Sequence, residues 1–94
     1  MTKPYKESIQ IQHGTDEVYT IREFSEDVNE DELVWHRDKK TRKLNVLKAN
    51  GWKLQMDDQL PEELKEGIEY LITRNTYHRV IKGYGKLVVR FKEI

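Results

Sequence analysis

The sequence contains no cysteine, which removes disulfides, thiolate metal sites and thiol nucleophiles and fits a reducing compartment. It also lacks long apolar runs. No window approaches the roughly 18 apolar residues of a membrane span, and the start, MTKPYKESIQ, has no apolar stretch of the kind that heads a secretory signal. Secretion and membrane insertion are therefore not expected, and the cytoplasm is the expected location. An excess of one charge is missing too: 17 Lys plus Arg stand against 17 Asp plus Glu, with a sequence pI near 6.8. No overall field draws such a chain to nucleic acid or anionic lipid, so neither is expected as a partner. The basic run Arg37, Lys39, Lys40, Arg42, Lys43 and Lys48 follows an equally acidic one from Glu23 to Glu32 and has no alternating aromatics, so it reads as a mutually neutralised surface. No Ser-His-Asp grouping, His-Glu-x-x-His motif or phosphate-binding loop occurs. Acyl transfer by a serine nucleophile, zincin proteolysis and nucleotide hydrolysis thus lack support.

What the sequence does have is period-two alternation. Its 94 residues, 36% hydrophobic and 36% charged, suffice for one small domain over 1–94. Charged and apolar residues interleave rather than segregate, which argues against disorder. In KLVVRFKEI from Lys86, one face carries Leu87, Val89 and Phe91; after Asn50-Gly51, another carries Trp52, Leu54 and Met56. Asn50-Gly51 readily supplies the two positive φ values of a type I′ turn, which predicts a tight hairpin joining the Leu44–Leu47 run to the Trp52 run. Further strands are predicted over Ser8–Gln12, Glu17–Phe24, Ile68–Ile72 and Tyr77–Lys82, with Gly83-Tyr84-Gly85 as a hairpin turn. Helix is confined to two weak candidates, Ser25–Leu33 with a Ser25 cap and a single turn over Pro61–Glu66. Seven or eight short strands joined by Gly, Asn and Asp turns describe an all-β sandwich or small antiparallel barrel. A core this modest, with exposed strand edges, predicts a homodimer paired through the Ser8–Gln12 strand.

The residues best suited to chemistry are His36, Asp38 and His78. Side chains at i and i+2 of an extended segment point to one side, so His36 and Asp38 can present a ring nitrogen and a carboxylate oxygen to a shared point. If the His78 strand pairs nearby, the three form a two-His, one-carboxylate face, which suits Fe, Mn, Ni, Co or Zn and leaves positions open for a ligand. The alternative is a surface His-x-Asp and a hydrogen-bonded strand histidine.

The stretch from Leu33 to Gly51 resembles the first motif of the cupin family, in which His-x-His is followed by an acidic ligand and a hairpin. Gly67 to His78 resembles the second, which runs from Gly through Pro-x-Gly to a His. With the spacer, the likeness covers about half of the chain. It implies a cupin-like β-barrel (jelly roll), frequent dimers, and metal ligands at His36, Asp38 and His78. It departs from the family at the acidic ligand, which falls on Arg42 or Lys43, cations that cannot coordinate a metal. Thr73 and Asn75 replace the Pro and Gly of the second motif; Asn tolerates a left-handed backbone, so the turn should survive. The His-x-Asp spacing is also similar to that of iron- and 2-oxoglutarate-dependent oxygenases, with Arg90 in the place of their oxoglutarate arginine, but a chain this short has no room for their shielding helices.

The resulting expectation is a small polar or anionic molecule bound or transformed at a divalent metal, with Arg42 or Arg79 orienting its anionic group. Trp52 and Tyr70, with Trp35 and Tyr77, are candidates to floor the cavity. The rival expectation is a metal-free ligand binder or interaction module in which Arg42 pairs with Asp38. Cupins span dioxygenases, isomerases, sugar-nucleotide enzymes and ligand binders, so the fold by itself assigns no reaction.

Overall fold

The alternating segments form eight strands: β1 (Lys6–Ile11), β2 (Val18–Phe24), β3 (Arg42–Lys48), β4 (Lys53–Met56), β5 (Glu62–Glu63), β6 (Glu69–Ile72), β7 (His78–Ile81) and β8 (Leu87–Glu93). The structure, a computed structural model, describes residues 3–94; Met1 and Thr2 of the expected 1–94 domain lie outside the described residues. Two antiparallel sheets face each other, one in the order β1-β2-β8-β3-β6 and one in the order β5-β4-β7. The all-β expectation therefore holds. No helix among the described residues is long and apolar enough to cross a membrane.

The core lies between the sheets and follows the sequence alternation. Leu87, Val89 and Phe91 on β8 are buried together with Val46 on β3, Phe24 on β2, and Trp52 and Leu54 at β4. Each such side chain contributes about 1.5–3 kcal/mol relative to an exposed position.

Four local expectations are corrected by tertiary pairing. At Asn50-Gly51 the turn itself forms, with φ of 46° and 78° and Trp52 N–H donating to Ala49 O at 3.0 Å. It joins no hairpin, because β3 is already flanked by β8 and β6; the turn instead carries the chain to the smaller sheet. Gly83-Tyr84-Gly85 likewise crosses between sheets, from β7 to β8. It runs so close to the first turn that a Cβ on Gly83 would lie 2.1 Å from Asn50 O. In Ser25–Leu33 only Glu30–Glu32 is helical, a single 3₁₀ turn capped by Asn29; Ser25 Oγ instead accepts from Asp27 N–H at 3.1 Å. Within Pro61–Glu66, residues Glu62 and Glu63 form β5 against β4 rather than a helical turn.

Candidate metal centre

His36 reaches the site through a single antiparallel bridge. Its N–H donates to His78 O at 3.0 Å and its O accepts from His78 N–H at 2.9 Å. The bridge lies on the edge of β7 away from β4, since Met56 faces His78 from the other side. Leu54 and Val80, one register step away, line the inter-sheet cavity, so alternation points His78 and His36 inward too. Asp38 follows two residues later, held where its O accepts from Asn75 N–H at 2.7 Å. Asn75 adopts φ 62°, the left-handed conformation expected of it, in a turn closed by Thr76 N–H on Thr73 O.

One nitrogen, one nitrogen and one carboxylate oxygen from His36, His78 and Asp38 lie within 4.8 Å of one another. The imidazole rings are 4.3 Å apart at 58°. Each ring uses Nδ1 on a main-chain oxygen two residues back, His36 on Val34 O at 3.0 Å and His78 on Thr76 O at 2.9 Å. A carbonyl can only accept, so each Nδ1 carries the proton and each Nε2 keeps its lone pair free, the arrangement that metal-binding histidines require. His78 Nε2 lies 3.4 Å from Asp38 Oδ2.

The Asp38 carboxylate is not fully satisfied. Its side chain is 13% exposed, and Oδ2 is buried without a hydrogen-bond partner. The Arg42 Nη1 lies 3.3 Å away, near enough for attraction but without hydrogen-bond geometry. Burial pushes the His78 imidazole below the usual histidine range; His36 and Arg42 add to this, while the Thr76 carbonyl and Asp38 oppose it. A buried, unbonded carboxylate oxygen beside two free imidazole lone pairs fits a divalent cation, and the donor set suits Fe, Mn, Ni, Co or Zn.

No protein-family model matches the chain, and a comparison with curated proteins finds no match. Solved structures do match. A cupin domain from Bordetella pertussis Tohama I superposes with a TM-score of 0.63 at 18% identity, covering 100% of this chain and 98% of that one.

The fold is a cupin fold.

The DMSP lyase DddQ from Ruegeria pomeroyi DSS-3 gives a TM-score of 0.73 at 11% identity over 94% of this chain and 45% of its own. HppE in a cobalt(II) complex with Tris buffer gives 0.69 at 15% identity over 100% and 55%. This chain thus spans about half of those two longer proteins and nearly all of the Bordetella cupin domain.

The cupin cavity, about 270 Å³, is lined by the three candidate ligands, Arg42 and mainly apolar residues of both sheets. Of the four candidate ligand-binding residues, Arg42 lines this cavity. The other three do not. Trp52 is fully buried in the core, with its indole N–H given to Gly85 O at 2.8 Å. The Tyr70 hydroxyl accepts from Lys65 N–H at 2.9 Å beside a separate surface hollow. Arg79 follows inward-facing His78 and so points outward, stacking 4.7 Å from the Trp35 ring and donating to Gln55 Oε1 at 3.0 Å. Trp35 and Tyr77 share this outer face, Tyr77 beneath Arg37 at 5.3 Å. Arg90 also faces away from the cavity, 4.3 Å over Tyr19. Sequence reasoning missed Arg22, which lines the cavity; the available signal was its period-two spacing from Phe24.

Proposed function

We propose that this protein is a metal-binding cupin in which His36, Asp38 and His78 hold one divalent ion beside a cavity that binds or transforms a small polar or anionic molecule. The observation that carries this reading is the buried, unbonded Asp38 Oδ2 facing two imidazoles whose Nδ1 protons are already committed. HppE, with an alike fold, was crystallised with iron(II) and with cobalt(II), which supports metal binding without specifying the ion. A bound ion would supply Lewis-acid chemistry or, as iron(II), an anchor for dioxygen. The chain itself contributes the rest. Thr76 and Val34 carbonyls fix the ring orientations, apolar residues make up most of the wall, and Arg42 faces the same space.

The second reading, a metal-free ligand binder, is favoured by one observation, the Arg42–Asp38 approach at 3.3 Å. Elemental analysis of untagged protein, followed by cobalt(II) titration watched by visible absorption, separates the two. Stoichiometric metal lost in His36→Ala, Asp38→Ala and His78→Ala supports the metal reading. Absence of uptake by folded wild type at neutral pH refutes it.

A further inference from the structure

Two arginines face the apolar cavity from the larger sheet. Arg22 on β2 stands opposite Val89, so it shares the inward face with the buried core. Arg42 on β3 stands opposite Glu93 and Ile72. Both line the cavity, and their guanidinium carbons lie 4.9 Å and 4.5 Å from the Phe91 ring centroid. The two guanidinium groups thus approach the same ring, in a space otherwise lined by the three candidate ligands, Glu32 and apolar residues such as Phe24, Leu44, Leu54 and Val80.

Neither cation is fully satisfied. Arg22 gives both Nε and Nη2 to a single oxygen of Glu7, which leaves Nη1 without a protein acceptor among the described residues. Its side chain is 15% exposed and its guanidinium carbon lies 3.8 Å over the Tyr5 ring, so it sits beside two aromatic rings with Nη1 uncommitted. Arg42 reaches Glu93 with Nη2 at 3.5 Å and Asp38 with Nη1 at 3.3 Å, while its Nε is buried and unbonded. A guanidinium with unmet donors in an apolar wall is costly unless an acceptor arrives. A carboxylate matches its fork with two parallel charge-assisted hydrogen bonds. At about 270 Å³ the space is at the small end of ligand pockets, and its walls call for an apolar body.

From this we infer that the cavity takes a small organic acid, its carboxylate held by Arg22 and Arg42 and its apolar part lying against the Phe91 corner. The inference rests on the metal reading only for a second feature, coupling. Arg42 Nη1 and an ion held with His78 would approach the same atom, Asp38 Oδ2, so an ion there displaces Arg42 from it and leaves the guanidinium for the ligand carboxylate. By linkage each should then tighten the other.

Hexanoate and its uncharged counterpart hexanamide are the probes, titrated calorimetrically into the 94-residue chain with excess chelator and again with zinc. Hexanoate should bind at least about tenfold more tightly than hexanamide. Arg22→Gln should lose about tenfold in hexanoate affinity in both conditions, with Arg22→Lys losing less, and neither should change zinc affinity. Zinc should strengthen hexanoate binding in wild type but not in Arg42→Gln. If an arginine variant fails to fold, the hexanoate–hexanamide contrast on wild type decides alone. Equal affinity for the two probes, or binding of neither, overturns the organic-acid site. Charge-dependent hexanoate binding without zinc uptake upholds that site and removes the metal reading, whereas zinc uptake without probe preference does the reverse.

Discussion

At the scale of single residues, the balance of the site turns on Arg42 and His78. The Arg42 and Asp38 side chains are 16% and 13% exposed, so removing one strands a charge that water reaches poorly. Arg42→Ala should therefore cost on the order of 3 kcal/mol in the presence of chelator. The same change removes the cation competing for Asp38, so zinc should restore more stability to Arg42→Ala than to wild type. Thermal unfolding with chelator and with zinc checks both; an unchanged midpoint in chelator would show that the pair contributes nothing. For His78 the sign follows from burial. Its folded form resists protonation while the unfolded chain takes up a proton near pH 6.5. The neutral ring thus contributes stability that is fully present above about pH 6.5 and is lost as pH falls. Metal-free protein should show a falling unfolding midpoint on acidification through this range, and His78→Phe a flatter profile. Metal binding should itself weaken on acidification, because protons compete with the ion for the ligand nitrogens.

At the scale of elements, the metal centre depends on one bridge without a ladder on either side. Residues 37 to 41 form no regular strand, yet His36 must stay beside His78. The outer face of the bridge supplies a clamp. Trp35 lies under Arg79 and Tyr77 under Arg37, at 4.7 Å and 5.3 Å, one stack on each side of the His36–His78 pair. Exposed stacks of this kind contribute about 0.5–1 kcal/mol each. The double variant Trp35→Ala/Tyr77→Ala should then bind zinc about five- to thirtyfold more weakly in competition with a chelating dye. Trp35→Phe/Tyr77→Phe should recover most of the loss, since the rings remain. Equal affinity of the alanine and wild-type proteins would show that the bridge holds without the stacks.

At the scale of the whole molecule, the larger sheet ends in β1, whose six residues are all exposed. Ile9 and Ile11 on β1 and Val18 on β2 are more than half exposed. Register places Ile9 beside Thr20 and Ile11 beside Val18, so the three apolar side chains share the inward-facing side of the sheet beyond the core. An open edge carrying apolar residues is a template for another strand, and a second copy adding its own β1 would continue the sheet and cover them. Light scattering should give a particle of twice 11.3 kDa, and Ile11→Lys should shift it toward monomer. A strict monomer at high concentration would leave β1 as a tolerated edge.

The sequence alone determined what is local. Period two set the buried faces of Leu87, Val89 and Phe91 and of Trp52 and Leu54, because a strand's side-chain direction depends only on its own backbone. Asn50-Gly51 and Asn75 adopt the positive φ that their residue types favour, and His36 and Asp38 share a side because they are two apart. Tertiary structure decided everything that joins distant segments. Asn50-Gly51 has hairpin dihedrals, but β8 and β6 had already taken both edges of β3. Arg79 points away from His78 by alternation alone, but only the packing of β7 made the His78 side the inner one. Arg22 became a cavity residue only when β8 brought Val89 opposite it. Convergence of His36, Asp38 and His78 required β7 to receive the His36 segment on its free edge. Backbone preferences act over a few residues, whereas pairing is chosen by the burial and hydrogen bonding of the whole chain, and the site is built at that level.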